Sequence, residues 1–483
     1  MTDPGDGPRV PVFGSSTRRF AAVYTGATLL AQVGQLVWLT TGSRAMSHSA
    51  FGTVLAAQAL YGVLQFVVDS GATYHGARLA AGGMLDAATR SSIIRVRLQL
   101  AALAAVLILG IGAAGGSRSL VAHAPYVIAL ALWALFNYWE AFGLGDGKPL
   151  SSYLVLRSAA PAFAMLPFLI LDSDAPVYVV GLAECLVLAI VSYALGLRAG
   201  AAFRSALQAP RGPWRSIVTT GTPSIAWQVG LASGTVTLAA VGAPVAAAVL
   251  GVGVRLLTGM NQLSAILATS LFPEFARQAH ARTEDEDVPA RAIDLAIRVV
   301  ILLTSCALGA FLLGQSFFVE LFLPRAGETA ESTATLALAV GGAGGVSVLV
   351  GFLLVARKSE SIAAGAFVIG TAITFLAGLA VVVVEPTNQS LWMAAALALG
   401  QFVSLLMIAR GTSTLLSALR RSLALGTAAA AAVLGGGVLA IAAPQTRYYV
   451  AAGAALLGVS LFSSAFGGRW GRTISTLRRK PPL

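Results

Sequence analysis

Apolar stretches of about 20 residues recur along almost the whole chain, and each is long enough to cross a bilayer as a helix. Only 11% of the 483 residues are charged, whereas soluble domains carry about 25%. The stretches do not alternate apolar and polar residues, as the strands of a membrane β-barrel do. The sequence therefore predicts an all-α polytopic membrane protein.

Hydropathy and turn signals predict about 14 transmembrane helices, joined by loops too short to fold as soluble domains. The predicted spans are 20–42, 50–69, 94–115, 121–144, 151–171, 176–197, 217–240, 245–271, 293–322, 333–355, 361–384, 390–409, 422–443 and 447–466.

The distribution of Lys and Arg supports this topology. With a cytoplasmic N-terminus, most of the 32 Lys and Arg residues fall on the cytoplasmic side, and the outer segments contain Arg44, Arg118, Arg325 and Arg447. This bias follows the positive-inside rule, and the Ala, Gly, Val and Arg content is typical of GC-rich bacteria. We therefore expect a multi-pass protein of the bacterial cytoplasmic membrane with both termini cytoplasmic. The rule also explains the net charge of +12, so no nucleic-acid partner is expected.

Two segments indicate an internal repeat. TGATLLAQVGQ, from Thr25, and TGTPSIAWQVGL, from Thr220, both follow a basic segment and both reach Gln-Val-Gly, at Gln32 and Gln228. An offset of six spans gives parallel repeats, although chance similarity between Ala/Gly/Val-rich helices is the alternative. The predicted division is a disordered cytoplasmic N-terminus (1–19), an N-lobe of spans 1–6 (20–210), a C-lobe of spans 7–12 (211–415), and spans 13 and 14 with a basic cytoplasmic tail (416–483).

The first hairpin, SRAMSHSAFGTVLAAQALYGVLQFVVDSGATYHGAR, resembles the start of the oligosaccharide-flippase and polysaccharide-transporter family. That family belongs to the multidrug/oligosaccharidyl-lipid/polysaccharide exporter superfamily. The resemblance lies in an arginine, a Phe-Gly pair, an apolar helix, an Asp-x-Gly and a second arginine, here Arg44, Phe51, Gly52, Asp69, Gly71 and Arg78. The eighth span, with Arg255 and its exit at Pro273, is similar to the family as well.

The resemblance implies a flippase that moves a polyprenyl-diphosphate-linked oligosaccharide from the inner to the outer leaflet by alternating access, for cell-surface polysaccharide biosynthesis. It implies two six-helix lobes around a central cavity, followed by two C-terminal helices. The expected partners are the lipid-linked substrate, membrane lipids and polysaccharide assembly enzymes.

Charged residues inside the predicted spans are the candidate site. A charge at the bilayer centre costs about 2.5–3.5 kcal/mol on insertion scales, so such residues usually face a cavity or a partner. Arg157 and Arg255 give each predicted lobe one cation, and arginine binds phosphate oxygens in a bidentate fork. We expect substrate binding by these two residues and, at the outer end of the first span, by Arg44, for which an interfacial contact with lipid is the alternative. The polar residues expected to line the cavity include Asn261, Gln262, Gln32 and Gln228.

Three acidic residues are candidates for ion coupling or ion pairing. Glu140 ends the fourth span and is expected to neutralise Arg157 across the hairpin with the fifth. Glu184 lies in the sixth span without an obvious partner, so proton coupling and pairing elsewhere both stay open. Asp69 is expected to cap a helix or pair with Arg78 at the cytoplasmic surface.

The sequence lacks the signatures of several other functions. It contains no complete Walker-type nucleotide-binding loop, no HExxH and no CxxC, and its four histidines are scattered. We therefore expect no catalytic residues, no metal and no cofactor, and a transporter rather than an enzyme. The alternatives are an ion-coupled multidrug extruder, a lipid II flippase and, more remotely, a membrane-integral glycan polymerase or ligase.

Overall fold

The computed structural model describes residues 15–81, 84–136, 138–143, 146, 148–171, 173–194, 199–209, 214–281, 287–324, 328–356, 359–384, 388–415 and 420–460. The secondary structure of these residues is α-helical, apart from one 3-10 turn at Pro444–Thr446. The helices are α1 (Ser15–Ala45), α2 (His48–Asp69), α3 (Ala72–Ala81), α4 (Ala87–Ala114), α5 (Gly116–His123), α6 (Pro125–Leu135), α7 (Tyr138–Gly143), α8 (Lys148–Ile170), α9 (Val179–Ala194), α10 (Ala199–Gln208), α11 (Trp214–Ala240), α12 (Pro244–Ala281), α13 (Asp287–Leu313), α14 (Gln315–Phe322), α15 (Glu328–Ala339), α16 (Gly341–Ala356), α17 (Glu360–Val384), α18 (Gln389–Leu415), α19 (Arg420–Ala442) and α20 (447–460).

The predicted all-α membrane fold is confirmed. Within the described ranges, 11 helices are long and apolar enough to cross a membrane. Each predicted span overlaps a helix within the described residues, but α9, α11 and α20 fall outside that set of 11. The count of about 14 spans therefore stays a prediction.

Several predicted spans are interrupted. The fourth, 121–144, consists of α5, α6 and α7; Pro125 starts α6, and an extended Phe136 (ψ 101°) ends it. The ninth breaks at Gly314 between α13 and α14, and the tenth breaks at Val340 between α15 and α16. Backbone hydrogen bonds of helical spacing continue across the last two breaks, since the Gly314 and Val340 amides donate to Ala310 and Leu336. The backbone groups there keep the partners that a membrane protein needs.

The predicted N-terminal boundary needs correction. Helix α1 begins at Ser15, so residues 15–19, assigned to the disordered tail, are helical. Residues 1–14, and the basic tail with the end of the last span (461–483), lie outside the described residues.

Helix α2 is the element that joins the first and second halves of the chain. It packs on α4 and α6 in the first half and on α11 and α12 in the second. Helix α1 packs on α8 and also reaches α12, while α11 and α12 pack on α17 and α16 respectively. The division into two lobes and a C-terminal appendage stays a prediction, but α2, α11 and α12 form the seam where such lobes would meet.

Two glycines allow helix backbones to touch at this seam. Near the start of α2, Gly52 lies against the Pro244 carbonyl of α12. Just after α2, Gly71 adopts a positive φ of 80° and lies against Gly221 of α11. A side chain at either position would overlap the backbone of the opposite helix, so small residues are needed here for close packing.

We expect Gly52→Ala to lower the thermal midpoint of the purified protein in detergent, because the new methyl group would overlap the Pro244 carbonyl. Gly110→Ala in α4 is the matched control, since nothing lies within 4 Å of a Cβ at that position. The control should be neutral or stabilising, because alanine favours a helix over glycine by about 1 kcal/mol. Equal midpoints for the two variants would contradict the close approach.

Candidate functional site

A cavity of about 360 Å³ lies along the seam. Its wall contains residues from α1, α2, α8 and α9 in the first half of the chain and from α11, α12 and α16 in the second. The wall combines apolar surface with many polar side chains. Its polar side chains include Thr28, Gln32, Gln35, Gln58, Gln65, Asp69, Thr73, Arg157, Ser158, Glu184, Ser224, Gln228, Arg255, Thr258, Asn261 and Gln262.

Glu184 is the centre of one polar cluster in this wall. Its Oε1 accepts hydrogen bonds from the hydroxyls of Tyr153, at 2.7 Å, and Tyr61, at 3.0 Å. Its Oε2 lies 3.2 Å from Nε of Arg157. Gln65 in turn donates to the Tyr153 hydroxyl at 3.0 Å. A carboxylate that accepts two hydroxyl bonds and faces a guanidinium is well compensated in a low-dielectric interior.

Aromatic rings hold Arg157 in place. Its guanidinium lies 5.6 Å from the ring centroids of both Tyr61 and Tyr153, within the range of cation–π attraction. Tyr61 itself stacks on Tyr126, with centroids 4.6 Å apart. The Arg157 side chain keeps 31% of its surface exposed and the Glu184 side chain only 6%. Arg157 is therefore partly exposed to the cavity, while the Glu184 carboxylate already balances its charge.

Arg255 has a different environment. Its Nη2 donates to Gln58 Oε1 at 3.2 Å, and the same oxygen accepts a bond from Trp38 Nε1 at 3.3 Å. No ion pair joins Arg255 to a carboxylate within the described part of the chain. Arg255 therefore brings a positive charge to the cavity, and its hydrogen-bond partner is a neutral amide.

Asp69, also in the cavity wall, belongs to a second cluster at the end of α2. It accepts from the Thr73 hydroxyl at 2.6 Å, and its Oδ1 lies 3.7 Å from Nη2 of Arg97. Arg97 is fully buried and donates to the carbonyls of Trp133, at 2.7 Å, and Phe136, at 2.8 Å. These carbonyls lie at the break between α6 and α7. The Trp133 carbonyl also accepts from the Phe136 amide at 3.1 Å. Arg97 thus adds a second bond to that carbonyl and binds the Phe136 carbonyl, which lies where the helix ends.

The structure brings most of the predicted site residues together. The predicted residues that line the cavity are Arg157, Arg255, Asn261, Gln262, Gln32, Gln228, Glu184 and Asp69. Arg44 does not line it; it is exposed in the last turn of α1. Glu140 does not line it either.

Two expected ion pairs are wrong. Glu140 pairs with Arg90 of α4, at 2.5 Å, and not with Arg157, because Arg157 turns to Glu184 on α9. Asp69 does cap a helix, as one of its two alternatives predicted, since its Oδ2 accepts the Thr73 amide in the first turn of α3 at 3.3 Å. Its charged partner, however, is Arg97 and not Arg78, because Arg78 donates to the Thr220 hydroxyl of α11 at 2.7 Å. In both cases a partner distant in sequence replaces the neighbouring one.

Several residues of the site were not predicted. They include the two tyrosines that bond to Glu184, which are Tyr61 and Tyr153, and the pair Trp38 and Gln58. All four lie in apolar spans, where such side chains are commonly interfacial or packed. Arg97 lies near the start of the predicted third span, 94–115, and was counted among the cytoplasmic basic residues rather than among the charges inside the membrane. The sequence offered one weak signal of a polar helix face in this span, which is a glutamine one turn before a tyrosine, Gln58 and Tyr61.

The predicted repeat coincides with two reciprocal contacts across the seam. A Cβ on Gly259 of α12 would lie 2.9 Å from Gln32 Oε1 of α1. A Cβ on Gly62 of α2 would lie 3.3 Å from Gln228 Nε2 of α11. The two glutamines are the residues that aligned the repeated segments, and both line the cavity.

Solved transporter structures share this fold. The chain superposes on the MATE multidrug transporter DinF-BH with a TM-score of 0.57 and 13% identity over 83% of this chain and 96% of that one. It superposes on the lipid II flippase MurJ, in an inward closed conformation, with a TM-score of 0.57 and 10% identity over 94% and 100%. A MOP superfamily transporter from Pyrococcus furiosus gives 0.55 and 13% over 85% and 98%.

These solved structures are membrane transporters, one of them a flippase, and at 10–13% identity the likeness shows that this chain shares their fold. No protein-family model matches the chain, and no curated protein matches it in sequence. The superfamily fold is therefore supported, while the oligosaccharide-flippase family is not confirmed.

The pairing of Arg157 with Glu184 is testable by a double-mutant cycle with Arg157→Met and Glu184→Gln. We expect a coupling free energy of about 0.5–3 kcal/mol in the unfolding of the purified protein, because the Glu184 side chain is only 6% exposed. The cycle Arg90→Met with Glu140→Gln is the matched control: both side chains are about a third exposed, and exposed pairs give about 0.2–1 kcal/mol. A larger coupling in the control would contradict the assignment.

Proposed function

We propose that this protein is a flippase that moves a polyprenyl-diphosphate-linked oligosaccharide from the inner to the outer leaflet of the bacterial cytoplasmic membrane. The observation that carries the proposal is Arg255, a cavity arginine faced by a neutral amide. The other charged residues in the cavity wall, Arg157, Glu184 and Asp69, each have a partner of opposite charge. Counted together with Arg97, the partner of Asp69 outside the cavity wall, these groups leave Arg255 as one unbalanced positive charge, which suits an anionic ligand.

A diphosphate provides what Arg255 lacks. An isolated cation at the bilayer centre costs about 2.5–3.5 kcal/mol on insertion scales, and a bound anion would offset much of that cost. The planar guanidinium can donate two parallel bonds to phosphate oxygens. Arg157, whose exposed face also meets the cavity, would add attraction without being the primary ligand, since Glu184 balances its charge.

The rest of the wall suits a carbohydrate. Glutamine and asparagine side chains donate and accept hydrogen bonds, as sugar hydroxyls do. Gln35 Nε2 and both polar atoms of the Asn261 amide are buried without a hydrogen-bond partner. The Asn261 amide lies against Gly344 and Gly345 of α16, so it would have to turn to meet a ligand. The aromatic rings of Tyr24, Trp227 and Phe352 also line the cavity and offer flat apolar faces.

Alternating access follows from the predicted repeat. The cavity extends from Gln58 and Arg255 towards Tyr24, near the start of α1, which the Lys and Arg distribution predicts to be cytoplasmic. A cavity on that side suits a substrate that is collected from the inner leaflet. The reciprocal contacts of Gln32 and Gln228 support two lobes that rock against each other at the seam, with α19 and α20 as an appendage.

A multidrug extruder is the second candidate, because the aromatic side chains and the carboxylates of Glu184 and Asp69 are features that bind organic cations. Both carboxylates, however, already face an arginine. A lipid II flippase is a narrower version of the proposed function, with the same diphosphate chemistry and a different glycan.

The first test is chemical. In cells that lack the gene, we expect one completed polyprenyl-linked glycan to accumulate in the inner leaflet, and the wild-type gene to remove it. Arg255→Ala should leave it at least about tenfold above the wild-type level, because the loss of an anion contact of about 1.5–3 kcal/mol corresponds to that factor or more. Arg118→Ala is the control, since Arg118 is exposed on α5, outside the cavity.

The alternatives give different results. Accumulation in the outer leaflet would point to a polymerase or ligase and would overturn the proposal. No accumulation, together with sensitivity to cationic dyes, would indicate an extruder.

The balance between Arg157 and Glu184 gives a second prediction. Arg157→Ala should also impair clearance of the glycan, because it leaves the Glu184 carboxylate as an unbalanced anion beside the substrate. Arg157→Ala combined with Glu184→Ala should recover part of the activity, measured in the same extracts. A double variant that is no better than Arg157→Ala would show instead that Arg157 itself is an essential ligand.

A further inference from the structure

One amide oxygen joins the two halves of the cavity wall. Gln58 Oε1 accepts from Trp38 Nε1 at 3.3 Å and from Arg255 Nη2 at 3.2 Å. Trp38 and Gln58 belong to α1 and α2, whereas Arg255 belongs to α12. This Trp38–Gln58–Arg255 contact therefore crosses the seam at which the predicted lobes meet.

The contact closes one end of the cavity. Gln58 and Arg255 lie ten and eleven residues from the starts of α2 and α12, about 15 Å along each helix. Between the contact and those helix starts the helices pack closely. Phe51 packs edge-on against Trp38, which is only 1% exposed, and Gly52 touches the Pro244 backbone. The substrate has to pass this end to reach the opposite side of the membrane.

The geometry is that of an anion site occupied by a neutral substitute. Two N–H donors converge on one oxygen, and one of them is charged. A phosphate oxygen accepts such bonds more strongly than an amide oxygen does, since charge-assisted hydrogen bonds are about twice as strong as neutral ones. An anion that reaches Arg255 would therefore compete with Gln58 for the guanidinium.

We propose that Gln58 is a positioning residue that couples substrate binding to opening of the closed end. In the empty protein its Oε1 holds Arg255 and Trp38 together across the seam. The anionic head group replaces that oxygen as the acceptor for Arg255 alone, while Gln58 keeps its bond to Trp38 within the first half of the chain. The polar tie between α2 and α12 is then broken, which favours their separation. The ligand shifts the equilibrium because it binds better to the state in which the tie is broken. The identity of the ligand, though not of the tie, rests on the proposed function.

The test measures access to the seam in full-length purified protein. Ala248 is 1% exposed, lies against Gly52 and is seven residues from Arg255 towards the start of α12. In protein without its native thiols (Cys185→Ala and Cys306→Ala), the thiol of Ala248→Cys should react slowly with a polar maleimide. Inorganic diphosphate should accelerate the reaction. Gln58→Met should accelerate it about tenfold without ligand, the factor expected for loss of a bond to a charged group, and diphosphate should then have little further effect.

Gln65→Met is the matched control. Gln65 lies on α2 two turns after Gln58 and lines the same cavity, but its bond to Tyr153 stays within the first half of the chain. In the Gln65→Met variant, the thiol of Ala248→Cys should react with the maleimide at the parent rate. Gln58→Glu is the opposite test: a carboxylate keeps the tie, strengthens it to Arg255, and should slow the reaction and abolish the response to diphosphate.

The outcomes separate the two claims. Labelling of Gln58→Met at the parent rate, or equal acceleration by Gln65→Met, would overturn the proposed coupling. Faster labelling of Gln58→Met with no response of the parent to diphosphate would support the tie and overturn the proposed ligand.

Discussion

The need to compensate each charge within a dry interior organises this structure. Glu184 has Arg157 and two tyrosine hydroxyls, and Asp69 has Arg97 and Thr73. Each arrangement joins helices that are distant in sequence, so the compensation of charge also fixes the packing of the first half of the chain. Arg255 stands apart because a neutral amide is its partner. A ligand that supplies negative charge would complete the pattern, and this is why the function is sought at Arg255.

The interrupted helices follow the same constraint. The break between α6 and α7 is tolerated because the Arg97 guanidinium, fully buried, satisfies the carbonyls of Trp133 and Phe136. Arg97 simultaneously approaches Asp69 at the end of α2. Arg97 of α4 therefore contacts the ends of both α2 and α6. The Trp133 ring of α6 packs against its guanidinium and against Tyr153 of α8. Glycines at the seam serve a complementary purpose, since they let α2 meet α11 and α12 with little side-chain bulk between them.

Much of the fold was predictable because a bilayer imposes long apolar helices, and the predicted spans coincide with helical residues. The cavity residues Arg157 and Arg255 were predictable because charge is costly in the membrane. Their partners were not. Glu140 and Arg157 are close in sequence, yet tertiary packing aims Arg157 at Glu184. Breaks within spans also escaped prediction, since hydropathy averages over an extended Phe136 or a turn at Val340.

The most direct measurement is transport by the purified protein in proteoliposomes. A fluorescent polyprenyl-diphosphate-linked oligosaccharide would be placed in one leaflet, and its appearance in the other followed by quenching with a membrane-impermeant reductant. The account predicts that the wild-type protein transports this lipid and that Arg255→Ala does not. It also predicts that the wild-type protein does not transport the same glycan on an uncharged lipid. Equal transport of the charged and uncharged lipids, or full transport by Arg255→Ala, would contradict the claim that this cavity recognises its substrate by the anionic head group.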